Sequence, residues 1–361
     1  MKMRKLPAII LSLILVFAIA ACGETSITLA DPGENGGTDN TTENSGRLIV
    51  SGADTETGRK ITAHFMDLVE EYSNGTLICE NLTDGELMDD RAKLELAING
   101  SCDIVVGESS AFAEQLNDLY LYDLFYLFDN KDEVKKVGME GETAQAIRDG
   151  FEEAGLKCLA MWDSGFHDLA LTENALHDPD DFSGLRVGTS DSETIMYAWK
   201  ALGADPIATG DSDAMESLQE WATDAQDDNV ESLLKESVQT VSAYLIKTEH
   251  VYTPLVAVMN LERFNSLGEV QQRAVTDALA EAQRSSFNEC DSYEAYAEKE
   301  FAKAGAEVTA LSDEEKAAFR EALSRTKCES RIRKRMTHPE LLDSMKAELE
   351  AYREPQEENA Q

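Results

Sequence analysis

The sequence predicts an α/β protein built as two lobes. From residue 47 onward short apolar runs alternate with amphipathic segments, the pattern of strands alternating with helices. The stretch from residue 47 to residue 361 exceeds one typical domain of about 100–150 residues, so it can bury two cores. Helical patterning from residue 269 to about residue 304 meets no strong breaker; at about 1.5 Å per residue such a helix would reach roughly 54 Å, longer than one lobe is wide. It must brace both lobes or kink.

The chain opens on Lys2, Arg4 and Lys5, followed by an apolar stretch over 6–18 interrupted by Pro7 and Ser12, the layout of a secretory signal. Ile19-Ala20-Ala21 then sets small residues before Cys22, similar to the lipobox that a bacterial lipoprotein signal peptidase cuts. Residues 1–21 therefore read as the signal and Cys22 as the lipidated residue. A permanent membrane anchor is the competing reading, but a span needs roughly 20 apolar residues. Residues 22–46, rich in Gly, Thr, Asn, Asp and Glu, read as a flexible tether.

The folded part is read in order. Residues 47–51 make a first strand, and 57–73 a helix with Ile61, Phe65, Leu68, Val69 and Tyr72 on one face, stopped by Asn74-Gly75. Strand 76–82, helix 89–99 and the apolar strand 102–106 follow. The aromatic-rich segment 119–128 reads as core filling, 131–154 as one helix and 156–162 as a strand. After Gly165-Phe166-His167 the rhythm restarts with strands 169–172 and 185–188 and a helix over 191–201, whose start carries a capping box at Ser190-Asp191-Ser192-Glu193. Strands over 240–246 and 251–259 precede a second capping box at Ser266-Leu267-Gly268-Glu269. Ser312-Asp313-Glu314-Glu315 starts a further helix, and the tail from Glu354 reads as unstructured.

Charge narrows the function. The formal charge is −38, and removing the signal with its three cations takes it to −41. Nucleic acid binding needs clustered Lys and Arg and is excluded on this ground. The acidity reads as a solubility feature of an exposed protein. With Cys22 lipidated, Cys79, Cys102, Cys158, Cys290 and Cys328 remain, an odd number without zinc-like spacing. They read mainly as small buried hydrophobes, although Cys79 and Cys102 could pair if their strands are neighbours.

A series of landmarks gives the chain a family likeness. Phe65-Met66-Asp67-Leu68-Val69-Glu70-Glu71 leads to Ser73-Asn74-Gly75, then Asp84-Gly85-Glu86-Leu87 and Asn99-Gly100. Asp103-Ile104-Val105-Val106, Tyr122-Asp123-Leu124-Phe125-Tyr126-Leu127-Phe128 and Trp162-Asp163-Ser164-Gly165-Phe166 come next. Lys200-Ala201-Leu202-Gly203-Ala204-Asp205-Pro206, Asp224-Ala225-Gln226 and His250-Val251-Tyr252-Thr253-Pro254 complete the order. Over residues 47–322 the chain thus resembles the DctP-like substrate-binding subunit of tripartite ATP-independent periplasmic (TRAP) transporters. The resemblance implies a class II periplasmic-binding-protein-like fold: two α/β lobes, a central cleft and a long bracing helix. It implies a small-molecule solute, small and large membrane subunits as partners, no cofactor and no metal. It also implies lobes that are discontinuous in sequence, 47–166 with 254–292 and 167–253 with 293–350, leaving 351–361 as the tail.

The resemblance further implies a carboxylate clamp of two arginines and an asparagine, since an arginine fork donates two parallel hydrogen bonds. In this sequence those positions read His167, Gly188 and Asp228. A two-residue slip would let Arg186 substitute. Without it the anion clamp is lost, and a neutral, cationic or hydroxyl-rich solute is expected in place of a simple dicarboxylate. His167 is otherwise an exposed hinge residue, Asp228 with Asp227 otherwise a solvated loop pair, and Trp162 core or an aromatic cleft wall. Trp221 reads as a ligand-specific wall or a packing replacement. Glu108 and Ser109 follow a strand end, where open α/β sheets face ligands, and Asp54 does so after the first strand. Gln226, from the Asp224-Ala225-Gln226 landmark, is a further candidate pocket residue.

Three rival functions are distinguishable. No GxSxG, HExxH, P-loop or Rossmann glycine pattern follows a strand, which argues against an exported enzyme. A solute receptor of the same fold could serve a sensory or other uptake system, which neighbouring genes for membrane subunits would separate from transport. A purely structural lipoprotein would show no stabilisation by any ligand.

Overall fold

Short apolar and β-branched runs pair into two sheets because each strand has one or both faces covered by helices. The computed structural model describes residues 46–82, 89–209 and 213–358. The signal 1–21, Cys22, the tether before Gly46 and the Asp84-Gly85-Glu86-Leu87 landmark lie outside the described residues.

Eleven strands occur among the described residues: β1 (Gly46–Ser51), β2 (Leu77–Asn81), β3 (Ile104–Glu108), β4 (Leu156–Trp162), β5 (His167–Leu171), β6 (Arg186–Thr189), β7 (Asp205–Ala208), β8 (Ala225–Asn229), β9 (Tyr244–Lys247), β10 (Leu255–Asn260) and β11 (Glu307–Ala310). The first sheet has the order β2-β1-β3-β10-β4; β1 is parallel to β2 and β3, and β10 antiparallel to β3 and β4. The second has the order β11-β9-β5-β8-β6-β7, with β5 antiparallel to β8 and β9 and β6 parallel to its neighbours. Both faces of the first sheet are covered: Leu48, Val50, Phe65 and Trp162 pack on one side, and Val105, Phe112, Met161 and Val256 on the other.

The chain passes between the sheets from β4 to β5 over residues 163–166 and from β9 to β10 over 248–254. These crossings touch where Phe166 bridges Tyr252, their rings edge-on at 5.1 Å. Lys131 ties the first crossing to the long helix Glu269–Ala304, its ammonium lying 3.2 Å from Asp163, 2.6 Å from Asp291 and 2.7 Å from Glu294. That helix braces both halves: Val275, Ala278, Leu279 and Ala282 pack on the first sheet, while Ala297 and Phe301 enter a core of the second.

Several expectations need correcting. The helix expected over 131–154 is broken into Lys131–Glu133, a π-helical stretch Val134–Met139, Glu142–Gly150 and a 3₁₀ turn Phe151–Ala154. A distant carboxylate, Glu348, accepts from the backbone N–H groups of Glu142 and Thr143 at 3.1 and 2.8 Å and so starts the third piece. No capping box forms at Ser190–Glu193 in the expected sense; Ser192 precedes the helix Glu193–Ala201, and its hydroxyl donates to buried Asp123 at 2.7 Å. The long helix is capped by Gly268 and Gln271, since Ser266 ends the preceding helix Leu261–Ser266. Cys79 and Cys102 are free, because β1 lies between β2 and β3. The closing helix Glu340–Glu358 continues past residue 351, and Leu342, Met345 and Leu349 pack in a core of the first sheet, not the second lobe.

Candidate ligand-binding cleft

Only residues 163–166 separate the end of β4 from the start of β5, so the ends of β3, β4 and β10 in one sheet face those of β5, β6 and β8 in the other. Contacts across this gap confirm the juxtaposition. Arg91 donates from its two terminal guanidinium nitrogens to Asp191 at 2.6 Å each, and Lys235 reaches Asp54 at 2.6 Å. The Glu231 carboxylate accepts from the Thr57 backbone N–H at 2.7 Å, in the first turn of the helix Glu56–Tyr72, where a negative charge meets the helix dipole.

On the first-sheet side, Trp162 ends β4 with 0% exposure, packs 6.4 Å from Phe65, and has an indole N–H without a partner among the described residues. It belongs to the core and still brings an unsatisfied donor to the strand ends. Ser109, fully buried after β3, likewise has an unpartnered hydroxyl. A buried polar group without a hydrogen bond costs about 1–3 kcal/mol, so these are points where a ligand atom would be stabilising. Glu108 is half-buried, its backbone N–H donating to Asp90 at 2.8 Å. Asp54 is held by Lys235 and by Arg59 at 3.3 Å, which commits its carboxylate to the rim.

On the second-sheet side, His167 is 4% exposed, so the exposed-hinge reading does not hold. Its Nδ1 lies 3.0 Å from Asp227 Oδ1 and its Nε2 2.9 Å from Thr253 Oγ1. Burial alone would lower its pKa, but the hydrogen bond and charge of Asp227, with Asp228 and Glu108 adding to it, raise it to about 9. Asp227 is no solvated loop residue either. Its Oδ1 also receives His250 Nε2 at 3.1 Å, and its Oδ2 accepts from Thr189 and from the Trp199 indole, both at 2.7 Å. Burial would raise Asp227, yet His250 and His167 outweigh it and hold the carboxyl far below its ordinary range. Asp228 is half-buried and accepts from its neighbour's backbone N–H, Asn229 N, at 2.7 Å.

Gly188 and Gln226 are register partners on β6 and β8. Gln226 is buried, and its amide donates to Thr209 at 2.9 Å while its Oε1 lies over Gly188. Arg186 stands at the opposite end of β6, where its Nε donates to Asp224 at 2.9 Å, so the slipped alternative leaves it outside the cleft. Trp221 is 53% exposed before the start of β8, with its carbonyl accepting from Arg186. Its expected role as a cleft wall is corrected: β8 carries it to the far end from Asp228.

Sequence reasoning missed the hub role of Asp227 and His250 and the rim pairs Arg91–Asp191 and Asp54–Lys235. The landmark containing His250 and Thr253 was visible; the pairs join residues about a hundred or more positions apart, for which one sequence has no signal. A separate cavity of about 630 Å³ lies under Tyr126 and Leu127, among Arg320, Leu323, Leu349 and Arg353. None of the expected site residues lines it, and the unpartnered Trp162 and Ser109 donors lie at the strand ends instead.

Two α/β lobes meeting at polar strand ends and joined by crossing segments and a bracing helix define a two-lobed solute-binding protein. Residues 50–330 match the family described as bacterial extracellular solute-binding protein, family 7, and the chain belongs to this DctP family. It is thereby a solute-binding protein and not an enzyme. It is 28% identical over 218 residues to the 2,3-diketo-L-gulonate-binding periplasmic protein YiaO of Escherichia coli (strain K12), covering 60% of this chain and 66% of that one, just under two thirds of its length. It is 26% identical over 234 residues to the C4-dicarboxylate-binding periplasmic protein DctP of Rhodobacter capsulatus, covering 64% and 69%. The fold matches a TRAP periplasmic solute-binding protein from Ochrobactrum anthropi with a TM-score of 0.79 at 23% identity, covering 87% and 97% of the two chains. It also matches the sugar acid binding protein DctPAm from Advenella mimigardefordensis in complex with galactonate, with a TM-score of 0.75 at 22% identity, covering 84% and 98%.

Proposed function

We propose that this chain is an exported lipoprotein, anchored through Cys22, that closes its lobes on a hydroxyl-rich neutral or cationic solute and delivers it to the small and large membrane subunits of a TRAP transporter. The observation that carries the solute class is the state of the three clamp positions. Gly188 has no side chain and lies under Gln226, His167 is turned into a buried bond with Asp227, and Asp228 contributes a carboxylate. No guanidinium remains there to hold an anion, while Trp162 N–H and Ser109 Oγ suit hydroxyl groups. The ligand candidates are therefore Trp162, Ser109, Glu108, Gln226, Gly188, His167 and Asp228, with Asp54 at the rim.

The test is a thermal-shift and calorimetric comparison of galactonate with its uncharged counterpart galactitol and with an amino sugar, on the chain from residue 46. A solute at 100 times its Kd should stabilise by about 2.7 kcal/mol. Neutral or cationic compounds are expected to bind and sugar acids or dicarboxylates to bind weakly; tighter binding of the acids overturns the reading. The anchor is tested separately by Cys22→Ala, which should release the protein from the membrane fraction.

A further inference from the structure

Beneath the cleft surface, on the second-sheet side, two imidazoles and a carboxylate converge. His167 Nδ1 and His250 Nε2 approach the same oxygen, Asp227 Oδ1, at 3.0 and 3.1 Å, and the three donor atoms lie within 4.8 Å of one another. All three residues are buried. They come from three different segments, the start of β5, β8 and the crossing after β9, so the convergence is made by the tertiary fold.

We propose that His167, Asp227 and His250 form a binding site for a zinc-type divalent transition-metal ion. Two imidazole nitrogens and one carboxylate oxygen are a donor set for such ions, and three protein donors match sites that keep one position open. Bonds of about 2.0–2.1 Å around a tetrahedral ion place donors about 3.3 Å apart, so the two nitrogen-to-oxygen spacings need only a small expansion. The outer contacts are those that orient metal ligands. His167 Nε2 meets Thr253 Oγ1 at 2.9 Å, His250 Nδ1 meets Thr248 Oγ1 at 2.8 Å, and Asp227 Oδ2 is fixed by Thr189 and Trp199. Each threonine hydroxyl can accept from the remote ring nitrogen, which frees the inward nitrogen's lone pair for the ion.

The proton balance is explicit. Before binding, protonated His167 and neutral His250 both donate to Asp227. On binding, His167 releases its Nδ1 proton to solvent, His250 moves its proton from Nε2 to Nδ1, and Asp227 stays ionised. One proton leaves and one dication enters, and the negative charges of Asp228 and Glu108, which act on His167, favour the added charge. Burial makes entry a step of folding or lobe opening.

The experiment uses the full chain, purified from cells grown with zinc and also unfolded and refolded with one equivalent of Zn²⁺ or Co²⁺. One metal ion per chain should survive desalting, Co²⁺ should show the visible absorption of a nitrogen- and oxygen-ligated site, and zinc should raise the Tm. His167→Gln and His250→Gln should each lower retention at least tenfold, with folding checked by circular dichroism. Should either fail to fold, Thr253→Val and Thr248→Val should weaken affinity about tenfold through the outer contacts. Absence of retained metal, or retention unchanged in these variants as for ions held by the acidic surface, overturns the proposal. Because the readout needs no solute, it is independent of the solute class proposed above.

Discussion

Gln226 lies so close over Gly188 that even a single methyl group on residue 188 would collide with its Oε1. The amide therefore fills the space that a longer side chain at residue 188 would sweep. Gly188→Ala alone should cost about 1–3 kcal/mol by overpacking, seen in denaturant unfolding. The pair Gly188→Arg with Gln226→Ala should open that space to a guanidinium and raise affinity for a sugar acid at least tenfold over the parent, measured by calorimetry. No gain in the double variant would show that the space above β6 does not lead to the bound solute.

The lobes should be held together in part by their rim charges. Arg91 and Asp191 are partly exposed, so screening limits their pair to about 0.2–1 kcal/mol. Arg91→Ala or Lys235→Ala should thus shift the closed population only a few-fold, and 1 M salt should do the same to the parent. Spin labels on the two lobes would report the distance distribution. Distances indifferent to both changes would remove the rim pairs from the account of closure.

Stability should peak on the acid side of neutrality and fall toward pH 9. Folded His167 holds its proton up to about pH 9, against an ordinary value of 6.5. Its contribution is complete below about pH 6.5 and is lost as pH climbs through 9. Burial pushes Asp123 up to about 6 and Asp168 up to about 8, so both also favour the folded state less as pH rises above about 4. Asp227 has the opposite sign: its contribution is present above about pH 4 and lost in acid. With a chelator present, urea titrations should lose on the order of 1–3 kcal/mol between pH 6.5 and 9 from His167. His167→Gln should flatten that part of the curve.

The thiols should be silent in the folded protein. Cys79, Cys102, Cys158, Cys290 and Cys328 are free and buried, and burial pushes Cys79 and Cys158 up to about 12 and Cys102 to about 11. A thiol reagent on the chain from residue 46 should therefore label none quickly in native buffer and all five in denaturant. Rapid labelling of any one under native conditions would mark a locally open segment.

Asp227→Asn should show how much the second sheet depends on one charge. The substituted amide keeps one acceptor oxygen but sets an N–H₂ against two of the four donors now bound. Breaking a buried, paired carboxylate in this way costs about 3–5 kcal/mol. Thermal unfolding should reveal the loss, whereas an unchanged Tm would mean that the hub relaxes without penalty.

Elements whose own residues carry the pattern were legible. The strand β4 was read to the residue, because its apolar run is bounded by Gly155, in a left-handed conformation at φ +74°, and by Asp163. The long helix ended as read, one residue before Gly305 at φ +107°. By contrast β8, Ala225–Asn229, carries Gln, two Asp and an Asn and has no apolar alternation. It is a strand because β5 and β6 flank it and because buried partners satisfy its polar side chains. The edge strands β7 and β11 are four residues each, too short for a periodicity to register.

Periodicity, glycine stops and the order of landmarks were enough for the class of fold, the bracing helix and the family, since each depends on residues close together in the chain. Which way His167 turns, what covers Gly188, and that Asp227 gathers four donors were settled only when β5, β6, β8 and the crossing at 248–254 came together. Hydrogen bonds and charge pairs between residues some twenty to a hundred and eighty positions apart leave no local trace, because their energy exists only after the chain has folded.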